Sequence, residues 1–288
     1  MEEIIINIKN VSVKFKNNFE ALTCVNAKLN NSRIIGLVGM NGAGKSTLFK
    51  TIMGIIKPID GEILIMGMSP AEALKKNLVS YVPQIEEVDW NFPLLVEDLV
   101  MMGRYSHMSF LRYPSKKDYE IVDEAIDFVG INEFRKSQIG ELSGGQKKRA
   151  FVARSLAHRG KIILLDEPFT GVDVTTEESL SELFRLLANA GNLIVVSTHN
   201  LGSVPQFCND VMLINKKLLA YGPIETTFTQ ENLRRAFGNM FREHRLSSII
   251  NTSKNSEETF TIITDDERPA VFYGKYGVNE INKSGKKL

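Results

Sequence analysis

The stretch Gly39-Met40-Asn41-Gly42-Ala43-Gly44-Lys45-Ser46-Thr47 carries chemistry that the rest of the chain must position. It follows an apolar run, Ile34–Val38, and precedes a helix expected over Leu48 to Met53. Strand, glycine-rich turn and helix, in that order, are the setting in which G-x-x-x-x-G-K-[ST] holds a polyphosphate. Glycines omit the Cβ atoms that would keep the backbone off the anion, so successive N–H groups converge on its oxygens. The helix start adds unpaired N–H groups and the positive end of its dipole. Lys45 can then neutralise the outer phosphates, and Ser46 can offer a hydroxyl to Mg²⁺.

Two further stretches complement this loop. The apolar run Ile162–Leu165 ends in Asp166-Glu167, two carboxylates at the end of a strand. In an open parallel sheet the ligand lies beyond the carboxyl ends of the strands, which is also where the phosphate loop points. Asp166 is suited to hold Mg²⁺ through water and Glu167 to orient or deprotonate an attacking water. Upstream, Leu142-Ser143-Gly144-Gly145-Gln146 opens a helix expected over Lys147 to His158, and a serine with two glycines at a helix start makes a second anion-binding nest.

The elements that must position these groups follow from hydrophobic patterning. Ile4–Ile8, Val11–Phe15, Ala21–Leu29, Glu62–Gly67 and Val79–Val82 read as strands, several of them antiparallel and arranged around the phosphate-loop strand. From about residue 86 the character changes. Val96–Met102 and Lys117–Val129 carry apolar residues at helical spacing, with Ser115 as cap and Gly130 as stop, which predicts an inserted helical subdomain over about 86–145. Phe92–Leu95 fits either core packing or an apolar lip for another protein. Lys161–Leu165, a helix over Glu177–Leu187 and Leu193–Ser197 predict a βαβ crossover. Val211–Ile214 and Lys217–Tyr221 predict a closing hairpin around Asn215-Lys216. Beyond Leu246 the chain turns polar, with a strand at Thr259–Thr264, giving a small extension over 246–288 after a main unit of 1–245.

Bulk composition is that of an ordinary globular chain: 288 residues, 43% hydrophobic, 24% charged, net charge +1. That balance offers no global field for nucleic acid or for an anionic membrane surface. Cys24 and Cys208 fit no metal or redox spacing and read as buried thiols of a reducing compartment, and His107, His158, His199 and His244 show no paired ligand spacing. The start lacks a secretory signal, and no run is long and apolar enough to cross a bilayer. A cytosolic chain that meets a membrane through a partner is expected.

In this order the motifs resemble the nucleotide-binding subunit of an ATP-binding-cassette (ABC) transporter over roughly Ile4 to Tyr221. The resemblance implies an α/β fold, a P-loop NTPase core with an antiparallel β subdomain and an inserted helical subdomain. Gly39 to Thr47 matches the Walker A loop, Gln84 the Q-loop glutamine and Leu142–Gln146 the family signature. Ile162–Glu167 matches Walker B with the catalytic glutamate, Asp173 the D-loop aspartate and His199 the switch histidine. What this implies is ATP bound by Phe15, Gly39, Asn41, Gly42, Ala43, Gly44, Lys45, Ser46 and Thr47. Phe15 stands where an aromatic, usually tyrosine, stacks on adenine. The resemblance further implies that Ser46, Gln84 and Asp166 hold Mg²⁺ and that hydrolysis depends on Glu167, His199 and Gln84. It also implies a head-to-tail homodimer in which Ser143 and Gly145 of one copy bind the γ-phosphate held by Lys45 of the other, and it counts Gly144, Gln146 and Asp173 among the nucleotide-binding residues. Asn200 departs from the aspartate usual after the switch histidine, and Met40 from a commoner serine or proline.

Rival classes fit less well. Translation-type ABC proteins carry two cassettes and repair types a long coiled coil, whereas this chain has one cassette and a modest insert. A GTPase would want N-K-x-D, and Asn215-Lys216-Lys217-Leu218 fails at its last position. Asp89–Pro93 with Val96–Tyr105, and the tail patch Thr264–Pro269, resemble importers of manganese, zinc and iron, manganese slightly ahead. Met102–Tyr105 also resembles ferric-chelate importers, and the tail patch reads alternatively as a polar turn. Implied partners are membrane permease subunits at the cytoplasmic face of the membrane and, through them, an extracytoplasmic substrate-binding protein.

Overall fold

The computed structural model describes residues 3–16, 18–84 and 92–238 with their side chains, and the backbone of 242–248, 258–264 and 270–273. The chain runs through β1 (Ile4–Lys14), β2 (Glu20–Asn30), β3 (Arg33–Val38), α1 (Lys45–Ile52), β4 (Asp60–Ile65), α2 (Pro70–Lys75) and β5 (Val79–Val82). The helical segment follows, with α3 (Val96–Met101), a 3₁₀ turn at Met102–His107 and α4 (Lys116–Phe128). Next come α5 (Gly144–Ala157), β6 (Ile162–Asp166), α6 (Val174–Asn189), β7 (Leu193–Thr198) and α7 (Val204–Phe207). The hairpin β8 (Asp210–Asn215) and β9 (Lys217–Pro223) leads into α8 (Ile224–Thr227) and α9 (Gln230–Phe237). The last strands are β10 (Arg242–Ser248), β11 (Glu258–Thr264) and β12 (Ala270–Tyr273).

The central layer is a six-stranded sheet in the order β5-β6-β7-β3-β8-β9, parallel except for the β8–β9 hairpin. β6 and β7 are buried at every position, as strands covered on both faces must be, and this explains their unbroken Ile, Leu and Val. β3 lies between β7 and β8, so the phosphate-loop strand has parallel neighbours. This corrects the expectation of antiparallel strands around it. The antiparallel strands form a separate three-stranded sheet, β2-β1-β4. Two apolar clusters fill the space between layers, one joining the sheet to α3–α6 and the other joining it to α1 and the antiparallel sheet.

Several boundaries differ from the sequence expectation for local reasons. Ile4–Ile8 and Val11–Phe15 form one strand, because a register shift around Asn10, in left-handed backbone at φ 51°, absorbs the polar pair without ending the pairing. α1 starts at Lys45 and α5 at Gly144, each ahead of the first apolar residue, because the glycine turns themselves lead into the first helical turn. The Ser115 cap and the left-handed Gly130 stand where the patterning put them. β10 runs across the boundary expected at 245/246, and β11 pairs with both β10 and β12, two strands the patterning did not show. Cys208 is buried, but Cys24 is exposed, contrary to its reading as a buried thiol.

The helical segment is fixed to α5 by close backbone approach. A Cβ on Gly103 would lie 2.2 Å from the Arg154 carbonyl oxygen. The buried Arg104 beside it donates to Ala157 O (2.9 Å) and to Asp118 (2.9 Å). The segments Asp89–Asn91 and Asp265–Pro269, which carried part of the resemblance to metal importers, lie outside the described residues.

Candidate functional site

The loop from Gly39 to Gly44 joins β3 to α1 under tight steric control. A Cβ at Gly39 would come within 2.3 Å of Ile214 O. Gly44 sits at φ 101°, and a Cβ there would meet Ala21 O and Leu22 Cδ2 at 2.7 Å. Side chains are therefore excluded at both ends of the loop. Ala43 N–H donates to Met40 O (3.0 Å), and Lys216 N–H, in the β8–β9 turn, donates to Ala43 O (2.8 Å). Gly44 caps α1 without any side-chain hydrogen bond, leaving the first-turn N–H groups for an anion.

Lys45 is buried and folds back over the loop, donating to Gly39 O (2.7 Å) and Met40 O (3.3 Å). Burial pushes its pKa down, opposed by Glu167 and Asp166. Its Nζ is 3.6 Å from Glu167 Oε1.

Asp166 ends β6 fully inside the protein, accepting from Ser197 Oγ at one oxygen and from Tyr81 OH (3.2 Å) at the other. The next residue breaks out of the strand. Glu167 has left-handed backbone at φ 50°, strained by about 1 kcal/mol for a residue with a side chain. Its N–H donates to Ser197 Oγ at 3.0 Å. The turn sends two adjacent carboxylates to different places, one beneath the cleft and one along its wall.

His199, just past β7, approaches Glu167 Oε1 through Nδ1 at 3.1 Å, and Thr170 Oγ1 donates to Glu167 Oε2 at 3.3 Å. Burial pushes the Glu167 pKa up, but His199, Lys45 and Thr170 outweigh it and hold the carboxyl below its usual value. An ionised Glu167 accepts only, so His199 Nδ1 carries the proton and donates. Asn200 is buried, its side chain accepting from Gly202 N–H (3.1 Å), so this departure from the family's usual aspartate is absorbed in a local turn.

A cleft of about 600 Å³ opens over these groups. It is lined by Met40, Asn41, Gly42, Gly44, Lys45, Ser46, Thr47, Gln84, Glu167 and His199, together with Phe19, Ala21 and Thr170. Gly39 and Ala43 lie buried beneath its rim. Phe15 stacks beside Phe19 with ring centroids 6.5 Å apart and planes 12° from parallel, but Phe19 is the ring on the cleft wall. The Lys216 ammonium sits 4.7 Å from the Phe19 centroid. Phe19 was missed because its position follows from the β1–β2 turn, where Phe15 N–H donates to Phe19 O (2.9 Å).

Ser143, Gly144, Gly145, Gln146 and Asp173 are not among the described residues lining this cleft. They form a second cluster. The exposed Ser143 caps α5 reciprocally with Gln146, its N–H donating to Gln146 Oε1 at 2.8 Å. Asp173 caps α6 and accepts from Thr176 N–H at 2.9 Å. A Cβ at Gly145 would touch the Thr176 side chain at 3.0 Å. Lys148, one turn along α5, donates to the backbone oxygens of Glu167 (3.2 Å) and Thr170, tying this cluster to the cleft wall. No sequence motif pointed to that lysine.

A family model described as ABC transporter matches residues 22–170. The chain belongs to the ABC transporter family. Among curated relatives it is 56% identical to the chelated iron transport system membrane protein YfeB of Yersinia pestis, over 93% of this chain and 90% of the relative. It is 52% identical to the manganese transport system ATP-binding protein MntA of a Synechocystis strain, over 82% and 90%. Among solved structures, an inward-facing ABC transporter described as of metal-chelate type superposes with a TM-score of 0.75 at 27% identity, covering 92% of this chain and 99% of that one. The ABC cassette is a nucleotide-binding ATPase domain, and the cleft is lined by the residues of its glycine-rich loop.

Proposed function

We propose that this chain is the ATP-hydrolysing motor of a membrane importer whose cargo is a divalent metal ion, manganese or iron before zinc. One observation carries the motor reading. The phosphate loop, Glu167 and His199 share one cleft while Ser143 and Asp173 lie outside it, so a second copy placed head to tail would close each cleft. Names of relatives favour a metal cargo: manganese at 52% identity, and at 56% chelated iron, which fits the alternative of a ferric-chelate importer equally well.

The chain's residues divide the work. Lys45 leaves the loop carbonyls for the β- and γ-phosphates as ATP enters. Loop N–H groups and the start of α1 take the remaining oxygens. The ring of Phe19, backed by Phe15, meets the adenine face. Glu167 accepts a proton from the attacking water, and His199, its Nδ1 engaged with Glu167, turns Nε2 toward the terminal phosphate.

The site is chemically suited to Mg²⁺. Ser46, Gln84 and Asp166 supply hard oxygen donors, and Asp166, already accepting from Ser197 and Tyr81, would act through water, as Mg²⁺ prefers. Bound there, Mg²⁺ would neutralise charge on the transferred phosphoryl group.

Hydrolysis would then release Ser143 of the partner copy and open the dimer, a change with different contacts in its two states. Among the described residues no helix is long and apolar enough to cross a membrane, so permease subunits would provide the path and hold the cassette at the cytoplasmic face. An extracytoplasmic binding protein would deliver the ion to them. Phe92 and Pro93 are exposed, whereas Leu94 and Leu95 are half-buried, so Phe92 is the part of that stretch best placed to meet a permease helix beside Gln84.

Elemental analysis of cells grown with scarce metal, comparing the native chain with Glu167→Gln, tests the cargo. A selective fall in manganese or iron is expected, and unchanged metal content would refute metal import.

A further inference from the structure

The turn between the 3₁₀ segment and α4 presents the most exposed apolar side chains of the described residues. Phe110 is 97% exposed, Tyr113 77% and Leu111 68%. The turn is built rather than loose. Arg112 N–H donates to Ser109 O (2.9 Å), Arg112 takes left-handed backbone at φ 51°, and its guanidinium lies 5.5 Å from the Tyr105 ring centroid. On the far side Ser115 caps α4 in a reciprocal box with Asp118, and Asp118 is anchored to the buried Arg104. Such bracing holds Phe110 and Leu111 out in water, where an unpartnered phenyl ring is unfavourable.

Charge around the turn is one-sided. The chain as a whole is near neutral at +1, yet Ser106–Lys117 contains Arg112, Lys116 and Lys117 and no acidic residue. All three cations are exposed. Asp118 is paired with Arg104 (2.9 Å). Lys116 faces Glu120 one turn along α4 at 3.9 Å, an exposed pair weak enough for a phosphate to replace, so Arg112 and Lys117 carry most of the surplus charge. Protruding Phe and Leu, an aromatic with a polar tip, and flanking Lys and Arg are the chemistry of an interfacial lipid contact. The rings enter the headgroup–acyl boundary while the cations meet phosphates.

We propose that the Phe110–Tyr113 turn docks on the anionic phospholipid surface of the membrane, with Arg112, Lys116 and Lys117 on headgroup phosphates and Phe110 and Leu111 inserted. This contact goes beyond the permease contact and gives the cassette a lipid foothold of its own.

Flotation of the purified full chain with vesicles of phosphatidylcholine and phosphatidylglycerol in equal parts tests it, with pure phosphatidylcholine vesicles for comparison. The native chain is expected to float with the anionic vesicles and far less with the neutral ones. F110S/L111S should reduce its partitioning about tenfold or more, from the lost apolar burial. K116Q/K117Q, or added salt, should reduce it by several-fold. Both variants should keep native ATP affinity and melting temperature, because these side chains are exposed and remote from the cleft. Native chain that stays unbound, or F110S/L111S that floats equally well, would overturn the proposal. Loss of co-purification with permease subunits in F110S/L111S, without any vesicle binding by the native chain, would also overturn it and assign the turn to a protein partner. The vesicles contain no permease, so failure here leaves the metal-import reading to its own test.

Discussion

Lys45 Nζ lies 3.6 Å from Glu167 Oε1, the oxygen that also meets His199 Nδ1 at 3.1 Å. The cation proposed to bind phosphate and the carboxylate suited to activate water thus hold one another. Polyphosphate must compete for Lys45, and as it does so Glu167 loses a partner that lowers its basicity. Lys45→Ala is expected to weaken ATP binding roughly tenfold to a hundredfold, the worth of a lost charge-assisted contact. Calorimetric titration measures it, and an unchanged affinity would remove Lys45 from the site.

Glu167→Gln keeps the shape and loses the base. Steady-state hydrolysis should fall by about 10² to 10⁴ while ATP affinity stays near native. Native turnover in this variant would assign water activation to another group.

The two stacked rings give a sharper test. Because Phe19 is on the cleft wall and Phe15 lies behind it, Phe19→Ala should weaken ATP binding more than Phe15→Ala does, by up to about tenfold for one lost base–aromatic contact. The opposite order, read from competition between ATP and tripolyphosphate, would return the adenine platform to Phe15 alone.

His158 makes acid stability informative. Its Nδ1 is buried without a hydrogen-bond partner among the described residues, and its ring lies 5.6 Å from that of His107. Burial, then His107, Arg104 and Arg154, push its pKa from 6.5 down to about 4. Between those values the unfolded chain binds the proton and the folded chain does not. The stability held by neutral His158 is therefore full above about 6.5 and is lost as pH falls through about 4. Urea midpoints measured down this range should decline in the native chain and decline less steeply in His158→Phe. Parallel declines would place the titrating group elsewhere.

What the sequence revealed was what neighbours in the chain decide. The loop Gly39–Thr47, the Asp166-Glu167 pair and the Ser143 cap are each complete within a few residues, so residue types and spacing suffice to find them. Phe19, Thr170 and Lys148 depend on contacts between distant segments, and no spacing announces a lysine that reaches from α5 to Glu167 O. Sheet order escaped for the same reason. Nothing local says that β3 sits between β7 and β8, because that order is set by how the helices cover both faces. Even Cys24, apolar enough to be taken for core, stands exposed because its strand bends there, at φ 50°.

The composite site proposed to be shared between two copies is tested most directly by the oligomeric state of Glu167→Gln, measured by analytical ultracentrifugation with and without ATP. ATP that binds and is not hydrolysed should hold Lys45 of one copy and Ser143 of the other together. A dimer that appears only with ATP, and disappears in Glu167→Gln/Ser143→Arg, is the expected result. A monomer under both conditions, at ATP concentrations that saturate the cleft, would contradict the shared site.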